Sequence, residues 1–212
     1  MRREPRAPST RPRAAAGQSI LKLRYLLLIP MALVCLVDRP LHAAEIEGVT
    51  FSESLNVGES PLRLHGTGLL RYRLFIKGYV AALYLAESFA GEATSDAVLG
   101  EVPRRLEIEY FWAISSEDFV RATVQGIERS AGRKVLAQLG PQIDQINSLY
   151  RDVEPRDRYA LTYEPGVGTE LALNGQRLGT VEGADFAAAL FAIWLGEESL
   201  DESLREQLLA GR

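Results

Sequence analysis

The chain has 212 residues, with 24 Lys or Arg and 28 Asp or Glu, so its formal net charge is −4 at pH 7. One cysteine and two histidines are too few for a zinc site of the Cys/His type, and they permit a histidine-based catalytic site only if His65 supplies the base by itself. The length and apolar content are those of a globular protein of one domain or slightly more.

Residues 1–44 have the pattern of a secretory signal. Seven basic residues within the first 24 precede an apolar run from Tyr25 to Val37, and the small residues Ala43 and Ala44 follow it. The apolar run has 13 residues and contains Pro30, so it is shorter than the roughly 20 residues that span a bilayer. We therefore expect a signal peptide at 1–44 and a mature domain at 45–212 that is periplasmic or secreted. A retained membrane anchor is the alternative.

Removal of residues 1–44 would leave 16 basic and 26 acidic residues, a net charge of −10, and no cysteine. A domain this acidic is a poor partner for nucleic acid or for an anionic membrane surface. We expect no nucleic-acid partner, no stable membrane insertion after signal removal, no metal and no cofactor.

The stretch from Gly66 to Leu85 is rich in aromatic and β-branched residues and contains no proline. This composition predicts one long central strand, with a bulge or bend at Gly78. Arg71 and Arg73 would leave the same face of that strand. Either their alkyl stems cover the sheet and their charged ends reach water, or one of them points into a cavity and binds an anion.

The remaining elements follow in a mixed order. The sequence predicts a short strand at 45–51, a short helix at 96–99 capped by Thr94 or Ser95, and a strand at 105–111 with one solvent-exposed face. Three helical stretches follow at 115–127, 134–139 and 141–150, and then three strands at 159–164, 169–173 and 176–181. Two helices, at 184–195 and 200–209, close the chain. Asn174-Gly175 is the strongest hairpin signal in the chain. This order predicts an α+β domain, an antiparallel sheet covered on one face by helices.

The joint order of several segments resembles the chalcone isomerase family, in particular its bacterial chalcone isomerase-like proteins. The segments are 46–51, 66–71, 77–85, Asn174-Gly175 and 183–196, and together they extend over essentially all of residues 45–210. The resemblance implies an open-faced β-sandwich in which a large antiparallel sheet and a helical layer enclose an apolar cleft. The family includes plant enzymes that close the flavanone ring and fatty-acid-binding relatives without that activity.

The resemblance also implies positions for the site. The arginine of the plant enzymes corresponds to Arg71, with Arg73 as a rival, and their strand threonine corresponds to Tyr79. Their helical tyrosine corresponds to Asp118 or Phe119, their asparagine to Gln125, and the threonine of their penultimate helix to Ile193. The expected ligand-binding residues are Arg71, Arg73, Tyr79 and Gln125, and no catalytic residue is expected because most of the hydroxyl and amide partners are altered.

Three functions stay open at the level of the sequence. The first is an exported, non-catalytic protein that binds a small apolar carboxylate or phenolate, such as a fatty acid, in a cleft lined by Phe75, Tyr79, Phe119 and Leu190. The second is an isomerase or intramolecular lyase that acts on an unknown substrate with Arg71 and Tyr79. The third is an interaction protein whose cleft is filled by its own side chains.

Overall fold

The computed structural model describes residues 43–58, 60–72 and 76–211. Of the predicted signal, only residues 43 and 44 are among the described residues. Arg73 and Phe75 also lie outside them. The described residues belong to one unit, Asp38–Arg212.

Within the described residues, a seven-stranded antiparallel sheet forms the centre of the domain, with its strands in the order β3-β4-β5-β6-β7-β8-β9. Their bounds are β3 Ser54–Val57, β4 Ser60–Tyr72, β5 Ile76–Ala86, β6 Arg104–Tyr110, β7 Arg158–Glu164, β8 Gly168–Leu173 and β9 Gln176–Val181. A separate hairpin consists of β1 Ala43–Ile46 and β2 Val49–Ser52. Every pair of neighbouring strands in the sheet is antiparallel, which confirms the predicted α+β sandwich.

The helices are α1 Ser95–Leu99, α2 Ser116–Gln138, α3 Gly140–Leu149, α4 Ala184–Leu195 and α5 Glu202–Leu209. Thr94 caps α1 and Ser115 caps α2, because each side-chain oxygen accepts a hydrogen bond from a backbone N–H in the first turn. Gly132 has φ 85° and ψ 163° and interrupts α2, so the two helical stretches predicted there are joined across a break.

The prediction of one long strand from Gly66 to Leu85 is wrong. This stretch forms parts of two antiparallel strands, β4 and β5, which pair from Leu62↔Ala86 to Tyr72↔Ile76. The predicted bulge at Gly78 is confirmed, because Leu70 pairs with Tyr79 and Arg71 pairs with Lys77, which leaves Gly78 as the extra residue.

The two faces of the sheet are buried by different parts of the chain. Tyr79, Ala81 and Leu83 of β5 pack with the helices, and we name this side the cavity face. Val80 and Tyr84 alternate with them and pack with the β1–β2 hairpin on the opposite side, which we name the hairpin face.

The face of β6 that was predicted to be wet is buried. Glu107 and Glu109 are each 6% exposed on the hairpin face. Arg158 joins their carboxylates at 3.0 and 2.7 Å, and its guanidinium also lies over the Phe51 ring of the β1–β2 hairpin at 4.5 Å. The charges that alternate along β6 therefore bind strands to one another instead of meeting water.

Two glycines of β4 allow α5 to lie against the sheet. A Cβ at Gly66 would stand 2.3 Å from the carbonyl oxygen of Leu208, and one at Gly68 would stand 2.6 Å from Leu204 Cδ1. His65 Nε2 lies 3.1 Å from the carbonyl oxygen of Leu209 and adds a hydrogen bond to the same helix. Because Gly66 and Gly68 have no side chain, α5 can approach β4 closely at these two residues.

Candidate functional site

A cavity of about 270 Å³ lies between the cavity face of the sheet and the helices α2 and α4. Its volume is close to the lower end of the range of about 300–1,000 Å³ for small-molecule sites. The sheet contributes Tyr79, Leu106, Ile108, Tyr110, Tyr159, Leu161 and Leu171, and the helices contribute Phe119, Ala122, Thr123, Gly126, Ile193 and Trp194. The lining is mainly apolar and aromatic, which is the composition expected for a site that takes an apolar molecule.

Aromatic rings define the inner wall of the cavity. Tyr110 of β6 meets Tyr79, Phe119 and Tyr159 edge to face, with ring centroids 5.8, 5.3 and 6.2 Å apart. Phe119 stacks on Tyr150 at 5.4 Å. Edge-to-face pairs stabilise these orientations, so the wall is fixed by its own packing.

Most of the tyrosine hydroxyls at the cavity have protein partners. Trp194 Nε1 donates to the Tyr79 hydroxyl at 3.0 Å, and the Tyr150 hydroxyl lies 2.8 Å from Thr123 Oγ1. The Tyr159 hydroxyl donates to the Arg151 carbonyl at 2.8 Å.

The four tyrosines of the cavity wall, Tyr79, Tyr110, Tyr150 and Tyr159, are neutral at physiological pH. Burial raises the pKa of Tyr79 and Tyr159, and it raises the pKa of Tyr150 to about 12. Burial, together with the neighbouring tyrosines, holds the pKa of Tyr110 well above its ordinary value. The cavity therefore presents hydroxyl groups and no phenolate.

The mouth of the cavity is polar and belongs to α2. Asp118, Gln125 and Arg129 line the cavity and are exposed. A hydrogen bond from the Ser115 hydroxyl and the nearby charge of Arg121 lower the pKa of Asp118, which forms an ion pair with Arg121. Arg129 has no ion-pair or hydrogen-bond partner among the described residues. The mouth of this mainly apolar cavity thus carries a carboxylate that is paired with Arg121 and a guanidinium, that of Arg129, without a partner among the described residues.

The structure places the predicted site residues in different regions. Tyr79 and Gln125 line the cavity, as do Phe119 and Ile193, which the resemblance also selected. Arg71 does not line it, and Arg73 lies outside the described residues. Of the other residues predicted to line the cleft, Leu190 is fully buried in the core and Phe75 lies outside the described residues.

Arg71 leaves the sheet on the hairpin face. Its guanidinium is half exposed and lies 3.4 Å from the Glu47 carboxylate, in a second pocket of about 420 Å³ that Leu69 and Gln207 also line. Leu70 pairs with Tyr79, so Leu70 is the β4 residue on the cavity face, and Arg71 points the other way. The expectation that Arg71 ends the cavity is therefore corrected, because the hairpin and its bulge change which residues share a face.

Sequence reasoning missed Tyr110, Tyr150, Tyr159 and Arg129 as lining residues. Tyr110 carried a signal, because it ends the apolar side of the alternation in 105–111. Arg129 carried none, because an exposed arginine on a helix is ordinary in any sequence.

The described residues contain no group of three His, Cys, Asp or Glu side chains that could hold a metal ion. In the same part of the chain, no helix has the length and apolar character needed to cross a membrane.

Comparison with known proteins assigns the family. The model of the chalcone isomerase-like family matches residues 43–210. The chain is a member of that family. No curated protein sequence matches it.

A solved structure has the same fold. It is the crystal structure of the Arabidopsis thaliana fatty-acid binding protein AtFAP1, which is 17% identical to this chain and superimposes with a TM-score of 0.60. The match extends over 79% of this chain and 96% of the Arabidopsis chain. Of the positions that the resemblance selected, those on β5, α2 and α4 line one cavity, Arg71 on β4 lies elsewhere, and Arg73 lies outside the described residues.

Proposed function

We propose that the protein is a non-catalytic binding protein for an apolar molecule with an acidic head, such as a fatty acid. The observation that carries the proposal is an apolar, aromatic-lined cavity with an unpaired cation, Arg129, at its mouth. The cavity also argues against the alternative of a cleft filled by its own side chains.

The arrangement of charge favours one orientation of the ligand. Apart from Arg129, no Lys or Arg lines the cavity within the described residues. A carboxylate deep in the cavity would lose its hydration without gaining an ion pair, which is costly. An apolar tail inside and a carboxylate at the mouth, beside Arg129, avoids that cost and keeps the carboxylate partly hydrated.

The fold comparison supports this choice of ligand class. AtFAP1 is a fatty-acid binding protein, so another protein with this fold takes such a ligand. The predicted signal at 1–44 adds that the protein meets its ligand in the periplasm or outside the cell.

Isomerase activity is the alternative function. Ile193 offers no polar atom where the plant enzymes have a threonine, and Phe119 offers none if it, and not Asp118, is the counterpart of their tyrosine. Orienting and acid–base groups contribute roughly 10²–10⁴-fold each to a rate. We therefore expect a chalcone to close its ring no faster with the protein than in buffer, and saturable turnover in that assay would favour the enzyme.

Binding is tested with dodecanoic acid and its methyl ester, by calorimetry and by the shift in melting temperature. We expect the acid to bind and to stabilise the protein, and the ester to do so less, because only the acid has a charge for Arg129. Native mass spectrometry of protein purified from its own host would show a co-purifying acid directly. If neither compound binds, the proposal fails and an interaction protein becomes the better explanation.

Three arginine variants locate the head group. Arg129→Ala should weaken binding of the acid about two- to tenfold, as expected for one hydrogen-bonded charge at an exposed site. Arg133→Ala is the matched control, because Arg133 is on the same helix, is 90% exposed and pairs with Glu128 outside the cavity. Arg71→Ala should also leave the affinity unchanged. A loss of affinity with Arg71→Ala alone would place the head on the hairpin face and overturn the orientation.

A further inference from the structure

Tyr110 differs from the other tyrosines of the cavity wall in the hydrogen bonding of its hydroxyl. Among the described residues no donor or acceptor forms a hydrogen bond with it, whereas the hydroxyls of Tyr79, Tyr150 and Tyr159 are all bonded. Buried polar groups are nearly always paired, so an unpaired hydroxyl in a cavity wall is unusual.

Tyr110 is nearly buried, and the cavity is where a ligand can reach its hydroxyl. The residue is 5% exposed and lines the cavity from β6, on the same face as Leu106 and Ile108. Rings on three sides hold its own ring in place. A single bound water is a poor substitute partner, because a buried water needs about two to four polar contacts and the surrounding wall is mainly apolar.

The chemistry of the site selects the kind of partner. The Tyr110 hydroxyl stays protonated at neutral pH, because burial and the adjacent tyrosines raise its pKa. It can therefore donate a hydrogen bond to an oxygen of the ligand. That oxygen should be neutral, because Arg129 is the one cation that lines the cavity among the described residues and the proposed function assigns it to the charged end of the ligand. A second anion at Tyr110 would be uncompensated.

We propose that Tyr110 determines specificity by donating a hydrogen bond to a neutral oxygen, a keto or hydroxyl group, on the buried part of the ligand. This inference rests on the proposed function and sharpens it. The preferred ligand is an oxygenated apolar acid, whose charged end lies at Arg129 and whose chain oxygen meets Tyr110. A plain saturated acid fills the cavity but leaves the Tyr110 hydroxyl unpaired.

The test compares dodecanoic acid with a series of oxo-dodecanoic acids in which the keto group is moved along the chain. Calorimetry on the protein purified from its own host measures each affinity. We expect one position of the keto group to bind about three- to tenfold more tightly than dodecanoic acid, as for one added hydrogen bond to a buried donor. Tyr110→Phe should abolish that preference and leave the affinity for dodecanoic acid equal or higher.

Tyr150→Phe is the matched control. Tyr150 lines the same cavity, but its hydroxyl is already bonded to Thr123. This variant should change the affinities for the two kinds of acid alike and preserve their ratio.

A measurement without ligand gives an independent check. Because Tyr110→Phe removes a hydroxyl that has no hydrogen-bond partner among the described residues, the variant should be at least as stable as the wild type in urea. A clear loss of stability would mean that the hydroxyl is bonded within the protein, and the proposal would be overturned.

The ligand series also separates two kinds of failure. Equal affinities for dodecanoic acid and all oxo acids, or a preference that survives Tyr110→Phe, would overturn the role of Tyr110 and leave binding of apolar acids intact. If no acid binds, both this inference and the proposed function fail.

Discussion

Arg104 is fully buried, and no carboxylate among the described residues pairs with its guanidinium. The guanidinium lies between the rings of Tyr163 and Phe191, 4.5 and 4.6 Å from their centroids. Nη1 donates to the carbonyls of Gly100 and Val102 at 2.7 and 3.2 Å, while Nε and Nη2 have no hydrogen-bond partner in the described part of the chain. Burial lowers its pKa to about 10, so it is still charged at neutral pH.

This environment predicts that the chemically similar substitution Arg104→Lys lowers the unfolding free energy more than Arg104→Met does. Arg104→Lys keeps the charge but loses the flat stacking surface, so it should cost about 3–5 kcal/mol of unfolding free energy. Arg104→Met removes the buried charge and keeps most of the volume, so it should cost about 2 kcal/mol or less. Urea unfolding measures both variants. Greater stability of the lysine variant would show that charge, and not stacking, matters here.

The sequence predicted the type of an element better than the direction in which its side chains point. Tyr79 and Gln125 line the cavity, and the elements that carry them were predicted with the right type, while their binding of a ligand stays a prediction. Arg71 does not, because one residue along a strand reverses the face of a side chain and a bulge intervenes at Gly78. Such a reversal depends on pairing with another strand, which the residues of β4 alone do not specify.

At the scale of the elements, the β4–β5 hairpin was missed for a local reason. The residues between the two strands are Arg73, Leu74 and Phe75, and none of them is a turn-forming type. The alternating pattern therefore continued through them. Asn174-Gly175, by contrast, was correctly predicted to be a hairpin turn, and both residues have positive φ, 50° and 80°.

Contact between β4 and α5 depends on Gly66. A Cβ there would stand 2.3 Å from the Leu208 carbonyl oxygen and 2.8 Å from that of Gln207, and backbone cannot give way as a side chain can. Gly66→Ala should therefore lower the unfolding free energy by about 2–3 kcal/mol, as for overpacking, and speed hydrogen exchange in α5.

Gly140→Ala is the control for Gly66→Ala. A Cβ at Gly140 meets no atom within 4 Å, so this variant should change the unfolding free energy by less than about 0.5 kcal/mol. If the two alanine variants are equally stable, α5 is not held against β4 by close approach.

At the scale of the whole molecule, the architecture could be predicted and the interior could not. Alternation and helix caps are local, so they gave the sheet and the helical layer. The cavity depends on how strands and helices far apart in sequence meet. Its tyrosines therefore looked like core residues, and the charges of β6 looked like a wet face.

The structure favours one of the two predicted N-termini of the mature chain. The predicted signal exits at Ala43-Ala44, so cleavage is expected to leave Ala44 or Glu45 at the N-terminus. Ala44 is 2% exposed, pairs with Phe51 and belongs to the cluster beneath the β1–β2 hairpin. Because a start at Glu45 would remove that buried contact, we expect the exported protein to begin at Ala44. N-terminal sequencing of the protein recovered outside the cytoplasm measures this directly.

A membrane-bound product that still carries residues 1–40 would contradict export by a cleaved signal, and a start at Glu45 would show that the Ala44 contact is dispensable.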